Sequence, residues 1–127
     1  MGGLSPDQLS FYLENGYLLS EDVLPLADLQ PLIDEISAVI DREAREAYAA
    51  GRLKALFEDE PFDRRMTSLR QAMGDSSDIG QTVMGKRHRT AGMFRVVAHP
   101  AILDIVESVI GPEILAHPQF NCQAKMP

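Results

Sequence analysis

Three long polar side chains, Asn121, Gln123 and Lys125, alternate with the apolar Phe120, Cys122, Ala124 and Met126. That is the two-residue repeat of a strand with one polar and one apolar face. The polar face could project into a barrel interior and hold an anionic ligand, with the lysine as charge partner. The plainer reading is a strand with one face in water. A second candidate is the stretch 80–87, where Gly80, Gly85 and Lys86 approach a phosphate-binding loop. In such loops glycines expose backbone N–H groups and a lysine reaches the outer phosphates. Arg87 stands where that motif needs a magnesium-binding hydroxyl, and no strand–loop–helix context surrounds it. The run Lys86, Arg87, His88, Arg89 could instead meet a carboxylate or a coenzyme A phosphate. A solvated basic cluster explains it more simply.

The three histidines, His88, His99 and His117, do not make a metal site. None stands in an H-x-D or H-x-E step, none pairs at i,i+4, and no cysteine lies at ligand spacing. His99 reads as a helix-start residue and His117 as a turn residue. Cys122 falls on the apolar side of its strand, which makes it an inert buried thiol rather than a nucleophile. The carboxylates cluster on the polar sides of helices, so no acid–base pair is indicated. The residues alone therefore assign no catalytic group and no metal ligand.

Whatever chemistry exists must be positioned by the elements around these residues. Ser5 and Gln8 form a capping-box pattern, with Pro6 at the first helical position and Leu4 and Leu9 placed as a hydrophobic staple. The helix they start should stop at Asn15 and Gly16. Residues 17–19 then read as a brief strand. Leu29, Leu32, Ile33, Ile36, Val39 and Ile40 recur at helical spacing, with Asp28 as cap, Pro31 in the first turn and Gly51 as the stop. A third helix is expected after Pro61, carrying Phe62, Met66, Leu69 and Met73 and ending at Gly74. The segment 53–57 is a further helical candidate. Residues 74–92 read as a long loop. A fourth helix begins at His99 and Pro100 and ends at Gly111, with Ile114 to Ala116 as a second short strand.

Composition bounds the rest. The chain has 127 residues, 45% hydrophobic and 24% charged, enough to bury a core. Its formal net charge of −7 argues against a phosphate backbone as the main partner, so nucleic acid is not expected. No apolar run is long enough to span a bilayer, and the start lacks a signal-peptide pattern. One cysteine fits a reducing compartment and a cytoplasmic location.

In order along the chain, several steps resemble one family. They are Leu4-Ser5-Pro6-Asp7-Gln8-Leu9, then Phe11 with Asn15-Gly16-Tyr17-Leu18, and Val23-Leu24-Pro25 before a long amphipathic helix. Further on come His99-Pro100 with Ile102-Leu103, then Ile110-Gly111-Pro112, and the closing Asn121, Gln123, Lys125-Met126-Pro127. Together these resemble the N-terminal part of the phytanoyl-CoA dioxygenase family, iron(II)- and 2-oxoglutarate-dependent oxygenases built on a double-stranded β-helix.

The resemblance implies an α+β fold that is mostly helical in this chain, supplying the N-terminal helices and first strands of a jelly-roll barrel. Residues 1–127 would be the N-terminal portion of one such domain, with the barrel and its metal ligands beyond 127. Iron would be held by two histidines and a carboxylate, the facial arrangement that leaves positions open for 2-oxoglutarate and oxygen. Asn121, Gln123 and Lys125 match family positions near the 2-oxoglutarate or substrate pocket, and a small molecule is the implied substrate. This chain alone is expected to be inactive and to bind neither iron nor 2-oxoglutarate firmly. Two alternatives stand beside that reading. One is a small helical interaction module without activity, which could self-associate through its terminal strand. The other is a nucleotide-binding protein resting on the imperfect glycine–lysine loop.

Overall fold

A computed structural model describes residues 2–74 and 90–117, and these form five helices and their connections. In chain order they are α1 (Pro6–Asn15), α2 (Leu26–Ala49), α3 (Phe62–Met73), α4 (Ala91–Val97) and α5 (Pro100–Ile110). Among the described residues 63% are helical and none is in a strand. The expected α+β fold with the first strands of a jelly roll is thereby corrected to an all-helical one within these residues. Residues 17–19 and 114–116, read as strands, are irregular. Leu18 and Ile114 are half-buried, whereas Tyr17, Leu19 and Leu115 lie in solvent, Leu115 almost fully. A short apolar run makes a strand only when a neighbouring strand takes up its N–H and C=O groups. No described residue supplies one. The alternating segment 120–126 lies outside the described residues.

Helix boundaries follow local chemistry closely. Ser5 accepts the Gln8 N–H at 3.2 Å while the Gln8 side chain accepts the Ser5 N–H at 3.0 Å, the reciprocal capping box. Gly16, at φ 77°, closes α1 by donating its N–H to Tyr12 O. At the end of α2, Gly51 N–H reaches Tyr48 O and Arg52 N–H reaches Ala47 O, the paired bonds of a Schellman motif with glycine in the left-handed position. The start of α2 differs from expectation. The helix begins at Leu26, so Asp28 lies inside its first turn and Pro31 lies one and a half turns in. Pro25 accepts the Asp28 N–H in place of a side-chain cap. Residues 53–57, offered as helical, form instead an irregular connection in which Phe57 takes a positive φ of 51°. The seven-residue α4 falls where a loop was expected to end.

The chain divides into two compact units, and the division falls inside α2 after Pro31. The first holds residues 2–31 and 91–117; the second holds 32–74 with Thr90. All six buried hydrophobic residues belong to the second unit: Ile40, Ala44 and Ala47 on α2, Leu53 in the connection, and Met66 and Leu69 on α3. Ile40, Ala44 and Ala47 stand at i, i+4 and i+7, one stripe of a helix, and Met66, Leu69 and Met73 form a like stripe on α3 at i, i+3 and i+7. Ile36, Val39, Leu56, Phe57 and Met73 pack around this cluster.

In the first unit, Gly92 is the one buried residue among those described. Polar contacts join the unit's two stretches of chain. The Leu4 N–H donates to Ser108 Oγ at 2.9 Å, and that hydroxyl donates to Asp104 O at 2.8 Å. Gly3 lies so close to α5 that a Cβ there would stand 2.6 Å from the Asp104 carbonyl oxygen. The segment before α1 is thus held against α5 at a point where only glycine fits.

Candidate functional site

The densest polar arrangement in the second unit is a chain of four charged side chains centred on Asp41. One carboxylate oxygen accepts from Arg65 Nη2 at 2.8 Å and the other from Arg45 Nε at 2.7 Å. Arg45 also donates to Glu58. Arg65 reaches further, donating from Nε to the Leu56 carbonyl at 3.2 Å. Each link has a structural reason. Asp41 and Arg45 are one turn apart on α2, where i,i+4 side chains meet. Arg65 sits one turn into α3, and its fork binds α2 through Asp41 and the 50–61 connection through Leu56. Arg65 is only 13% exposed and Asp41 34%, whereas Arg45 and Glu58 are about half in water.

The electrostatic consequence falls on Asp41. Hydrogen bonds from Arg65 and then Arg45 hold its carboxyl below the ordinary value of 3.8, against a smaller opposing effect of burial. Because the folded value lies below the unfolded one, the carboxylate contributes stability above about pH 4. Between the two values the unfolded chain binds a proton that the folded chain does not. The contribution shrinks as pH falls and is gone once the folded carboxyl itself protonates. Asp41→Asn is therefore expected to cost about 1 kcal/mol or less at neutral pH, a cost that fades as acid protonates the folded carboxyl. Urea midpoints of the two proteins from pH 7 to pH 2 check this. Curves that fail to converge in acid would mean that the pairing contributes no stability.

Beside this network lies an open cavity of about 230 Å³ lined by Ser37, Ile40, Glu58, Glu60, Phe62 and Arg65. Its floor is the buried Ile40, its rim carries two carboxylates, and Arg65 faces it with its donors already directed at Asp41 and Leu56. The arrangement is a structural clasp beside a shallow groove. It brings together no nucleophile with a base.

In the first unit, His99 caps α5. Its Nδ1 accepts the Ala101 N–H at 3.2 Å, and its Nε2 lies 3.1 Å from Asp28 on α2. An accepting Nδ1 carries no proton, so the ring's proton is on Nε2 and donates to the carboxylate. The helix-start reading of His99 is met, and the role of Asp28 is changed from capping its own helix to orienting this ring. His99→Ala removes both bonds and is expected to lower stability by about 1 kcal/mol, while His99→Asn keeps a capping oxygen and restores most of it. Thermal unfolding of the two variants distinguishes them; equal losses would assign the effect to the Asp28 link instead of the cap.

The residues singled out for chemistry fall elsewhere. Asn121, Gln123 and Lys125, the stretch 80–87, the basic run 86–89 with His88, and Cys122 all lie outside the described residues. His117 is exposed in the irregular segment after α5. Among the described residues no group of three or more histidine, cysteine, aspartate or glutamate side chains could hold a metal ion. The His99–Asp28 pair comes nearest in type, and both of its ring nitrogens are engaged. These residues do not fit an iron centre. The Asp41–Arg65 link, 24 residues apart, carried no sequence signal; the Asp41–Arg45 link was readable from i,i+4 spacing alone.

No described helix is long and apolar enough to cross a membrane. No protein-family model, curated protein or solved structure matches the chain.

Proposed function

We propose that this chain is the N-terminal helical portion of an iron(II)- and 2-oxoglutarate-dependent oxygenase of the phytanoyl-CoA dioxygenase family, acting on a small molecule in the cytoplasm. One coincidence carries the reading. The steps that resemble the family are the ones that start and stop helices: Ser5-Pro6 and Asn15-Gly16 bound α1, and His99-Pro100 and Ile110-Gly111 bound α5. Asn121, Gln123 and Lys125 are proposed to face 2-oxoglutarate or substrate, with the lysine pairing a carboxylate. The described residues do not fit the metal, so no catalytic step is assigned to them.

Two measurements test this. The coding DNA beyond Pro127 should contain an H-x-D step and a later histidine; an open frame lacking both would overturn the assignment. The isolated 127-residue chain should release no succinate from 2-oxoglutarate with iron(II). Turnover by that chain would place the ligand set inside it.

The exposed apolar residues of the first unit favour a second reading, a helical interaction module without catalysis, with pairing through the segment 120–126 as one route to self-association. It predicts a cooperative thermal transition for the isolated chain. Molten behaviour or persistent aggregation would count against it.

A further inference from the structure

Eight of the ten large hydrophobic residues that the described chain leaves exposed belong to the first unit. Scattered apolar residues on a surface are ordinary, so the number alone decides little. Helix α5 decides more. Of its eleven residues, Ile102, Leu103, Ile105, Val106, Val109 and Ile110 are aliphatic, and they share one broad face opposite Asp104, Glu107 and Ser108. A face that wide is built to be covered. Yet none of the six is fully buried: five are half-buried and Ile110 is mostly exposed. Phe94 on α4 is 71% exposed and Leu115 is 97% exposed.

Charge is divided just as unequally. The first unit carries eight carboxylates against one guanidinium, Arg95, and so accounts for the chain's whole net charge of −7. The rest of the sequence balances eleven acidic against eleven basic side chains. In the first unit only Asp28 is ion-paired among the described residues, through His99. An apolar surface set among unpaired carboxylates disfavours two occupants. A second copy would bring −7 against −7, and an anionic membrane would be repelled likewise.

We propose that the first unit is a docking surface for a partner protein that presents apolar anchors flanked by lysine and arginine. The apolar side chains supply the area that α1, α4 and α5 leave uncovered, and the basic groups meet carboxylates such as Glu107 and Glu113. This concerns the surface alone and holds for either reading of the activity.

The test uses the full 127-residue chain and three short synthetic peptides: an amphipathic leucine–lysine helix, a leucine–glutamate peptide of the same pattern, and a lysine–serine peptide. Fluorescence anisotropy should give saturable binding of the leucine–lysine peptide alone, weakening at least about fivefold between about 50 mM and about 500 mM salt. Chemical-shift changes should fall on α1, α4 and α5. Phe94→Ser with Leu115→Ser should weaken binding about tenfold, and Glu107→Gln with Glu113→Gln about threefold. Asp59→Asn with Glu46→Gln removes as much charge from the second unit and should change nothing. The proposal fails if that control pair weakens binding as much, or if the leucine–glutamate peptide binds equally well. It fails also if shifts map to α3, or if sedimentation shows a dimer that buries Phe94 and Leu115.

Discussion

Leu69→Ala is expected to unfold most of the second unit at 37 °C. Leu69 is fully buried in a cluster that has six buried hydrophobic members among the described residues, three of them on α2 and two on α3. Truncation removes the transfer free energy of the side chain and leaves a cavity that neighbours fill only in part, together about 2–5 kcal/mol. Whole domains are stable by only about 5–15 kcal/mol, so a loss of this size is a large share of the total. Its cluster partners Ala44 and Ala47 have no side-chain reach with which to fill the space. Leu69→Met, nearly volume-conserving, should cost under about 1.5 kcal/mol. Urea unfolding followed by helical circular dichroism measures both. Equal small losses would mean that the cluster is not what holds α2 and α3 in place.

Arg65→Met is expected to be the next most damaging change, at about 1–3 kcal/mol. Methionine keeps much of the aliphatic stem, which separates loss of packing from loss of the fork. What disappears is the donor to Asp41 and the donor to the Leu56 carbonyl, leaving two acceptors that the fold had positioned around one guanidinium. Arg65→Lys should recover little, because a single ammonium cannot direct two donors in the fixed geometry of the fork. Pairing with Asp41→Asn tests the assignment: if the link matters, the double variant costs clearly less than the two single losses combined. Simple additivity would assign the loss to the Leu56 carbonyl alone.

These two residues also mark how far the sequence could be read. Leu69 was legible, because Met66, Leu69 and Met73 repeat at helical spacing between Pro61 and Gly74, and α3 runs between those two residues. Both ends of α1 and α5 and the C-terminal end of α2 were legible for a similar reason: glycine at a stop and a capping side chain at a start act within one turn. Arg65 was not legible as a clasp, since its partners lie 24 and nine residues away and no local pattern encodes that meeting. The start of α2 was misplaced because Asp28 has the chemistry of a cap, and its partner His99 is 71 residues distant.

The apolar stripe of α2 was identified more easily than its burial. Of its six predicted positions only Ile40 is fully buried, and Ala44 and Ala47 complete the stripe further along. Helix α4 escaped notice because seven residues with an internal Gly92 show no sustained period. The strand readings at 17–19 and 114–116 failed because three apolar residues in a row do not distinguish a strand from an irregular segment. The ligand-facing residues inferred for the site, Asn121, Gln123 and Lys125, rest on alternation and resemblance alone.

Among the described residues the second unit holds a fully buried hydrophobic cluster, while the first leaves the apolar face of α5 only partly covered. Native-state amide hydrogen exchange on the 127-residue chain tests it most directly. Amides from Ile40 to Ala47 on α2 and from Met66 to Leu69 on α3 should exchange only through unfolding of their unit. Those of α1, α4 and α5 should exchange at least about a hundredfold faster. Equal protection across all five helices would contradict the account, because α5 would then have to be covered.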